Sequence, residues 1–475
     1  MGAPKTLGFG DLLFYAASMT LSIRWISVAA AAGPASLPIW ALAVLVFSGP
    51  LIVATAELTT RFEGEGGVYA WTRRTFGPFW GFLCGWLYWS CNLPYFAGIL
   101  VFQVALCAAA LGPVGQRWLA DPMIVTSLAV ALCLFVAALH YWGLGSGKWL
   151  SNVGASSSFA LIVFLIVVGL AASLRLGPAT DFVHASYAPP WSADGAILWA
   201  TMVFGVGGTE GLALLRNDVR GGLRTILRVL AVMAFIQVAF YVAGTAAMLG
   251  ILSPENASRL SGLADALNLG MERIGLGPLA PVPLLFAFLF TLGGYSAWFG
   301  AAARLPFAAG IDEFLPAQFA RRDPRTGAPV VAIAVQTAIV IAIVVLSQAG
   351  DTLRGAYDFL VAMSVLSYTL PFVFLFVVFL ALQYRRTPLP HGAWQTPGGA
   401  AAGKAVGFVG LGSTLVAIAC TMVPSPDAAD PLGATLKLAF ASLLLIFGGI
   451  AFYALARRRT RRASRPHLPP AGDRG

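Results

Sequence analysis

The chain has 475 residues, of which 58% are hydrophobic and only 11% are charged, and its mean hydropathy is +0.80. A water-soluble domain carries about 25% charged residues, so this composition excludes a protein whose whole surface faces water. The net charge of +10 would suggest nucleic acid in a soluble protein. Here the basic residues stand between apolar runs, which indicates membrane topology, and we expect no nucleic-acid partner.

The apolar runs are continuous and long enough for helices, whereas barrel strands alternate apolar and polar residues over about 10 positions. The sequence therefore predicts an all-α membrane protein with about twelve transmembrane helices, each of about 20 residues. The predicted spans are Gly8–Ala32, Trp40–Thr60, Pro78–Leu111, Met123–Trp142, Trp149–Leu174, Ala196–Leu215, Ile226–Ile251, Pro281–Ala309, Val330–Leu346, Ala356–Gln383, Ala405–Val423 and Leu436–Leu455.

Basic residues concentrate in alternate loops. If the spans alternate, the loops after spans 2, 6, 8 and 10 and the tail lie on one side. By the positive-inside rule we expect both termini in the cytoplasm, in a multi-pass protein of the cell inner membrane. We expect the basic, Pro-rich segment from residue 456 to 475 to be a disordered cytoplasmic tail. The loop Leu252–Pro278 contains helix-forming stretches and could form a surface helix.

The sequence offers no cofactor or metal site. Its five cysteines all lie inside apolar runs, and its four histidines have no metal-ligand spacing. No nucleophile–base set is visible, so we expect no enzyme. The first apolar run is too long for a cleavable signal peptide.

Arg24 is a charged residue inside the first predicted span, about 24 Å along it. A charge near mid-membrane costs about 3 kcal/mol or more, so it needs a reason to be there. Arg24 could face a cavity and pair with a carboxylate of the substrate or of the protein. Alternatively, it could extend its side chain to the membrane surface.

Glu210 lies in the sixth span beside four glycines, in the string Phe204-Gly-Val-Gly-Gly-Thr-Glu-Gly211. Each glycine destabilises a helix by about 1 kcal/mol relative to alanine. Such a helix can unwind where a cavity receives its main-chain groups, as in many transporters. The alternative is close helix packing through small residues.

Other polar and aromatic residues have weaker signals. Glu57 lies near the end of span 2, where structural stabilisation or gating is favoured over substrate contact. Trp89, Tyr295 and Trp298 could line a cavity, although aromatic residues at helical spacing more often serve packing.

Several strings together resemble the amino acid–polyamine–organocation (APC) superfamily, in family order over roughly residues 8 to 385. Within it, Leu21-Ser-Ile-Arg24 and Gly293-Gly-Tyr-Ser-Ala-Trp298 resemble the glutamate/γ-aminobutyrate antiporter branch. The strings similar to the superfamily are Glu57-Leu-Thr-Thr-Arg-Phe62, Gly66-Gly-Val-Tyr69, Phe76-Gly-Pro-Phe-Trp-Gly-Phe82, Gly207-Gly-Thr-Glu-Gly211, Asn217-Asp-Val-Arg220, Ala303-Arg-Leu305, Phe314-Leu-Pro316 and Gly327-Ala-Pro329.

This resemblance implies a LeuT-like fold, with a five-plus-five inverted repeat, broken helices 1 and 6, and two additional helices. The implied first repeat covers residues 8–174, the second 196–383, and the additional helices 405–455. The resemblance also implies that both breaks bind the substrate, with Phe204 closing over it. The matching positions are Thr20, Leu21, Ser22 and Ile23 in helix 1, and Phe204, Gly205, Val206, Gly207 and Gly208 in helix 6.

The resulting hypothesis is alternating-access transport of amino acids, by exchange or with a coupling ion, a proton being favoured over sodium. Arg24 and Glu210 would set charge selectivity or form a gate pair. A polyamine or amine carrier would want several cavity carboxylates, and Glu210 is the chief one found. A transporter-like nutrient sensor is also open. A channel is disfavoured because no selectivity-filter string is present.

Overall fold

A computed structural model of the protein describes residues 8–62, 67–142, 144–308, 314–348, 353–385, 393–424 and 430–463. The elements of these residues are helices, and twelve helical segments or pairs of segments follow the predicted order. Ten are long and apolar enough to cross a membrane unaided. Helix 5 is long, but only its second part, Ala160–Leu176, is strongly apolar. Helix 1 is divided into two short pieces.

The helices have the following bounds. Helix 1a is Phe9–Thr20, helix 1b Arg24–Ala31, helix 2 Ser36–Arg61, helix 3 Pro78–Ala110, helix 4 Pro122–Tyr141, helix 5 Leu144–Leu176, helix 6a Ala193–Gly205, helix 6b Thr209–Asp218, helix 7 Leu223–Ile251, helix 8 Pro281–Ala302, helix 9 Val330–Gln348, helix 10 Leu353–Arg385, helix 11 Gly399–Thr421 and helix 12 Pro431–Ala463.

Both predicted breaks are present. Helix 1a stops because Leu21 adopts an extended conformation, with φ of −100° and ψ of 126°. Helix 6a stops at Gly205, and the chain resumes as a 3-10 helix after Gly208, whose φ of +99° is left-handed. Glycine tolerates that conformation because it has no Cβ. The glycine-rich string therefore ends the helix rather than packing it closely against a neighbour.

The helices pack in two groups. Helices 1, 2, 6 and 7 contact one another, and helices 3, 4, 8 and 9 form a second group. Helix 5 packs against helices 7 and 8, and helix 10 contacts helices 3, 6 and 11. Helix 1a lies beside helix 6b, and helix 1b beside helix 6a. Both breaks therefore lie in the interior, where the first group meets helices 3 and 10.

The structure adds helices in the connections and corrects the tail. Helices Gly67–Phe76 and Pro113–Leu119 lie in loops, and the long loop forms helix Gly262–Arg273. That last helix buries Leu263, Ala264 and Leu267, so it is packed rather than superficial. Helix 12 continues to Ala463, so the first part of the expected disordered tail is helical. Its alanine, leucine and arginine residues are strong helix formers; residues 464–475 lie outside the described residues.

Candidate functional site

The two helix breaks meet at one side chain, Tyr241 of helix 7. Its hydroxyl lies 3.0 Å from the carbonyl oxygen of Thr20 and 2.9 Å from that of Gly205, and it accepts a hydrogen bond from the amide of Ser22 at 3.2 Å. A hydroxyl has one proton, so the two carbonyls share a single donor. Trp40 of helix 2 stacks on the tyrosine ring with centroids 4.0 Å apart. Tyr241 thus links the break in helix 1 to the break in helix 6.

A second residue of helix 7 supports the break in helix 6. Gln237 lies one turn before Tyr241, on the same helix face. Its amide nitrogen donates to the carbonyl of Val206 at 3.0 Å, and its oxygen accepts from the hydroxyl of Ser48 in helix 2 at 2.9 Å. Main-chain groups freed inside a membrane need such partners. Helix 7 therefore stabilises the unwound segment while linking it to helix 2.

Phe204 lies in the last turn of helix 6a, inside an aromatic cluster. Its ring centroid lies 5.1 Å from Trp25 of helix 1b, 4.7 Å from Tyr368 of helix 10 and 6.1 Å from Tyr95 of helix 3. Position 207 also approaches Tyr368, because a Cβ there would lie 2.9 Å from its ring. The residues from 205 to 208 are buried. The breaks are therefore enclosed in this conformation.

Glu210 lies just beyond the break in helix 6 and is 2% exposed. One carboxylate oxygen accepts hydrogen bonds from the hydroxyls of Tyr88 at 3.2 Å and Tyr368 at 3.0 Å, and the other accepts from the amide of Gly208 at 3.0 Å. This carboxylate connects helix 6b to helices 3 and 10. In the part of the chain that the structure describes, it has hydrogen-bond donors and no ion-pair partner.

Arg24 begins helix 1b and is 1% exposed. The position excludes the alternative in which its side chain reaches the membrane surface. None of its three guanidinium nitrogens has a hydrogen-bond partner among the described residues. The expected gate pair with Glu210 is absent from this conformation, because Glu210 bonds to Tyr88 and Tyr368 instead.

Glu57 is fully buried within a network of protein groups. Its carboxylate pairs with Arg61 at 2.6 Å and accepts from the side chain of Gln383 at 2.6 Å. Thr396 donates both its amide and its hydroxyl. These contacts join helix 2 to helix 10 and to the segment before helix 11. The structural or gating role favoured for Glu57 from the sequence stays a prediction.

The three aromatic residues that could line a cavity pack against other apolar side chains. Trp89 packs against Trp86 in the cluster between helices 3 and 12, whereas its neighbour Tyr88 contacts Glu210. Tyr295 contacts Phe96 and Phe299. The half-buried Trp298 packs against the main apolar core. Their role as substrate ligands stays a prediction.

At the end of the bundle that holds helices 1b and 6a, Arg259 forms two ion pairs. It contacts Asp194, near the start of helix 6a, and Asp358 of helix 10, the latter at 2.8 Å. The arginine belongs to the connection after helix 7 and is 17% exposed. These pairs hold the connection against helices 6 and 10. Beside them lies a mostly apolar pocket of about 60 Å³, bounded by helices 6, 10, 11 and 12.

The sequence model of the amino acid permease family matches residues 7–450. The chain belongs to this family. The uncharacterized transporter lpg1691 of Legionella pneumophila is 24% identical to the permease over 435 residues, which are 91% of each chain. The expected APC membership is confirmed, and the protein is a multi-pass membrane transporter.

Two further relatives have names that state a transported substrate. The probable agmatine/putrescine antiporter AguD of Lactococcus lactis is 24% identical over 300 residues, which are 61% of the permease and 60% of AguD. The serine/threonine exchanger SteT of Bacillus subtilis is 25% identical over 311 residues, 64% of the permease and 67% of SteT. The two names describe different substrate classes.

A crystal structure of the Eremococcus coleocola manganese transporter, in complex with an aromatic bis-isothiourea compound, matches the permease with a TM-score of 0.56. The alignment covers 97% of the permease and 98% of that chain at 15% identity, so it bears on the fold alone. With the two breaks, it confirms the LeuT-like fold class of the five-plus-five inverted repeat. The residue bounds assigned to the repeats stay a prediction.

Sequence reasoning missed four residues that organise the breaks of this permease: Tyr88, Gln237, Tyr241 and Tyr368. Gln237 and Tyr241 carry a readable signal, since two polar groups one turn apart in an apolar span need partners. Tyr88 and Tyr368 have no such signal, because tyrosines in spans are common as packing residues. Only the packing of helices 3 and 10 against helix 6 brings their hydroxyls to Glu210.

Proposed function

We propose that this permease is a secondary active transporter of amino acids that works by alternating access, as an exchanger or a proton-coupled symporter. The observation that carries the proposal is the pair of helix breaks side by side, joined through Tyr241. Broken helices place unpaired main-chain donors and acceptors in the protein interior, where they can bind a zwitterion. Substrate would bind beside Thr20, Leu21, Ser22 and Ile23 and beside residues 204 to 208, with Phe204 as the lid.

The contacts at the two ends of the bundle support an alternating closure. Both termini would be cytoplasmic and the chain would lie in the inner membrane, in accordance with its basic loops. The Glu210 cluster would then close the pathway on the cytoplasmic side of the breaks, and the Arg259 ion pairs would hold the outer end closed. The burial of residues 205 to 208 is what a closed intermediate of this cycle would require.

Glu210 is the candidate for coupling to protons. It is a buried carboxyl group beside the break, and its described partners are neutral donors. A carboxyl group in this setting can gain or lose a proton as the surrounding helices move. A sodium ion would need several converging oxygen ligands, whereas the carbonyls of Thr20 and Gly205 already share the hydroxyl of Tyr241.

Counterflow in liposomes tests the proposal. Purified protein is reconstituted, the liposomes are loaded with one unlabelled amino acid, and entry of the labelled compound is measured. We expect saturable uptake that internal substrate accelerates, as an alternating-access carrier requires. Binding of an amino acid without any flux would instead indicate a sensor.

A carrier for amines is the second candidate. The name of the AguD relative and the buried Glu210 favour it. Competition of arginine, glutamate and putrescine against uptake separates the two, because an amine carrier would be inhibited by putrescine alone or most strongly.

A further inference from the structure

The guanidinium group of Arg24 is a buried charge that has no ion-pair or hydrogen-bond partner in the part of the chain that the structure describes. It is 1% exposed, and all three of its nitrogens lack hydrogen-bond partners among the described residues. Isolated charges are strongly disfavoured in a protein interior, so buried ones are normally paired. The side chain has no route to a membrane surface. Since the described residues supply no partner, a group that arrives during function is the candidate.

Aromatic rings surround the guanidinium, and its N–H groups have no hydrogen-bond partner among the described residues. Its central carbon lies 4.1 Å from the ring centroid of Trp25, 5.2 Å from that of Tyr95 and 5.7 Å from that of Tyr357. Cation–π contacts of this kind attract the charge without satisfying its N–H donors. The N–H donors lie around its edge, in the fork geometry that matches a carboxylate.

Two neighbouring features also favour an anion at this point. Arg24 is the first residue of helix 1b, whose N-terminal end has a partial positive charge. The hydroxyl of Tyr357 is buried and has no hydrogen-bond partner among the described residues. A negatively charged group beside Arg24 could thus accept from the guanidinium and from this hydroxyl.

The same aromatic rings connect Arg24 to the break in helix 6. Trp25 and Tyr95 contact both the guanidinium and the ring of Phe204. An anionic group bound at Arg24 would therefore be close to the last turn of helix 6a, which contains Phe204. No such continuity exists with Glu57, whose carboxylate is bonded to Arg61, Gln383 and Thr396.

We propose that Arg24 binds a carboxylate group of the transported substrate, and that the permease consequently rejects amines without a carboxylate. The statement that the ligand is transported rests on the function proposed above. The statement that Arg24 binds it does not depend on that function. The carboxylate is either the α-carboxylate of any amino acid or the second carboxylate of an acidic one. Putrescine and agmatine would bring positive charge to an unpaired guanidinium, which opposes their binding.

The test measures ligand binding and flux separately with the full chain. Melting temperatures of the purified protein are recorded with L-serine, L-glutamate, serinol and putrescine, and counterflow follows with the ligands that stabilise it. We expect a carboxylate-bearing ligand to stabilise the protein, and serinol and putrescine to have no effect. A shift with serine indicates the α-carboxylate, whereas a shift with glutamate alone indicates the second carboxylate.

Two variants and one control sharpen the test. Arg24→Gln should weaken binding of the carboxylate ligand about 100-fold, and Arg24→Lys by less, because lysine keeps the charge but loses the forked geometry. Each variant must melt cooperatively without ligand. Arg175→Gln is the matched control, since this exposed arginine at the end of helix 5 donates to the carbonyl of Ile274. The control variant should bind the carboxylate ligand with the affinity of the unmodified protein.

Three outcomes overturn the proposal: unchanged affinity in Arg24→Gln, stabilisation by putrescine or serinol, or no stabilisation by either carboxylate probe. Flux of putrescine would remove the carboxylate site while retaining the carrier function. Carboxylate binding that depends on Arg24 but produces no counterflow would retain the site and remove the carrier function.

Discussion

Arg24 and Glu210 occupy related places in the two broken helices, and both are almost completely buried. The protein treats them differently. Glu210 accepts hydrogen bonds from Tyr88, Tyr368 and Gly208, whereas the nitrogens of Arg24 have aromatic rings around them and no hydrogen-bond partner among the described residues. A buried charge with its own donors can hold a conformation together, while one without partners is ready for a ligand.

The largest expected effect concerns stability without substrate. Glu210→Leu should lower the free energy of unfolding by about 3 kcal/mol or more, because three buried donors lose an acceptor at about 1–3 kcal/mol each. Arg24→Leu should leave it unchanged or raise it by about 1 kcal/mol, since apolar replacement of a buried charge is often neutral or stabilising. Thermal melting in detergent checks both variants. Equal destabilisation by the two would contradict the distinction drawn here.

Glu210→Gln should have the next largest effect, on the pH dependence of uptake. Glutamine keeps the shape and can still accept from the tyrosine hydroxyls, but it cannot release a proton. We expect the protein to insert normally and uptake to lose its dependence on pH. The uptake rate should fall about tenfold, because hydrogen bonds to a neutral amide are weaker than those to a carboxylate and a loss of ~1.4 kcal/mol corresponds to a factor of ten. Initial rates in liposomes over a range of pH provide the measurement. Unchanged flux at every pH would remove Glu210 from the mechanism.

Tyr241→Phe tests whether one hydroxyl couples the two breaks. Its loss leaves the carbonyls of Thr20 and Gly205 without their shared donor, at about 1 kcal/mol. We expect a several-fold rise in KM with cooperative melting retained. Tyr453→Phe is the control, because that ring packs with Phe79 and Phe82, far from the breaks in sequence and in contacts. Similar effects from both variants would indicate general loosening rather than coupling.

The smallest effect is expected at the two ion pairs of Arg259. Arg259→Gln removes contacts whose members are partly exposed, and such pairs contribute about 0.2–1 kcal/mol. Uptake should change by no more than about threefold, and the difference from the unmodified protein should shrink at high salt because screening weakens exposed pairs. A change that is large and independent of salt would assign Arg259 a role beyond holding this end closed.

The sequence by itself determined the helical membrane fold and the order of its spans, and it singled out Arg24 and Glu210 as charges inside the spans. Hydrophobic runs of fixed length and glycines beside an acid are local properties, so they can be read from the letters. Even the break after Gly205 follows from local composition, because a helix that contains so many glycines is weak. The continuation of helix 12 to Ala463 was missed because basic, Pro-rich composition outweighed the helix propensity of its first residues.

Only the tertiary structure decided the partners. Whether Arg24 reaches the surface, pairs with a carboxylate or stays unpaired depends on how helices 3 and 10 enclose helix 1b. Likewise, Tyr241 bonds to Thr20, which lies 221 residues earlier in the sequence, and to Gly205, which lies 36 residues earlier. The physical reason is that hydrogen bonds and ion pairs act over a few ångströms. Packing of the helices decides which groups, far apart in the sequence, come that close in space.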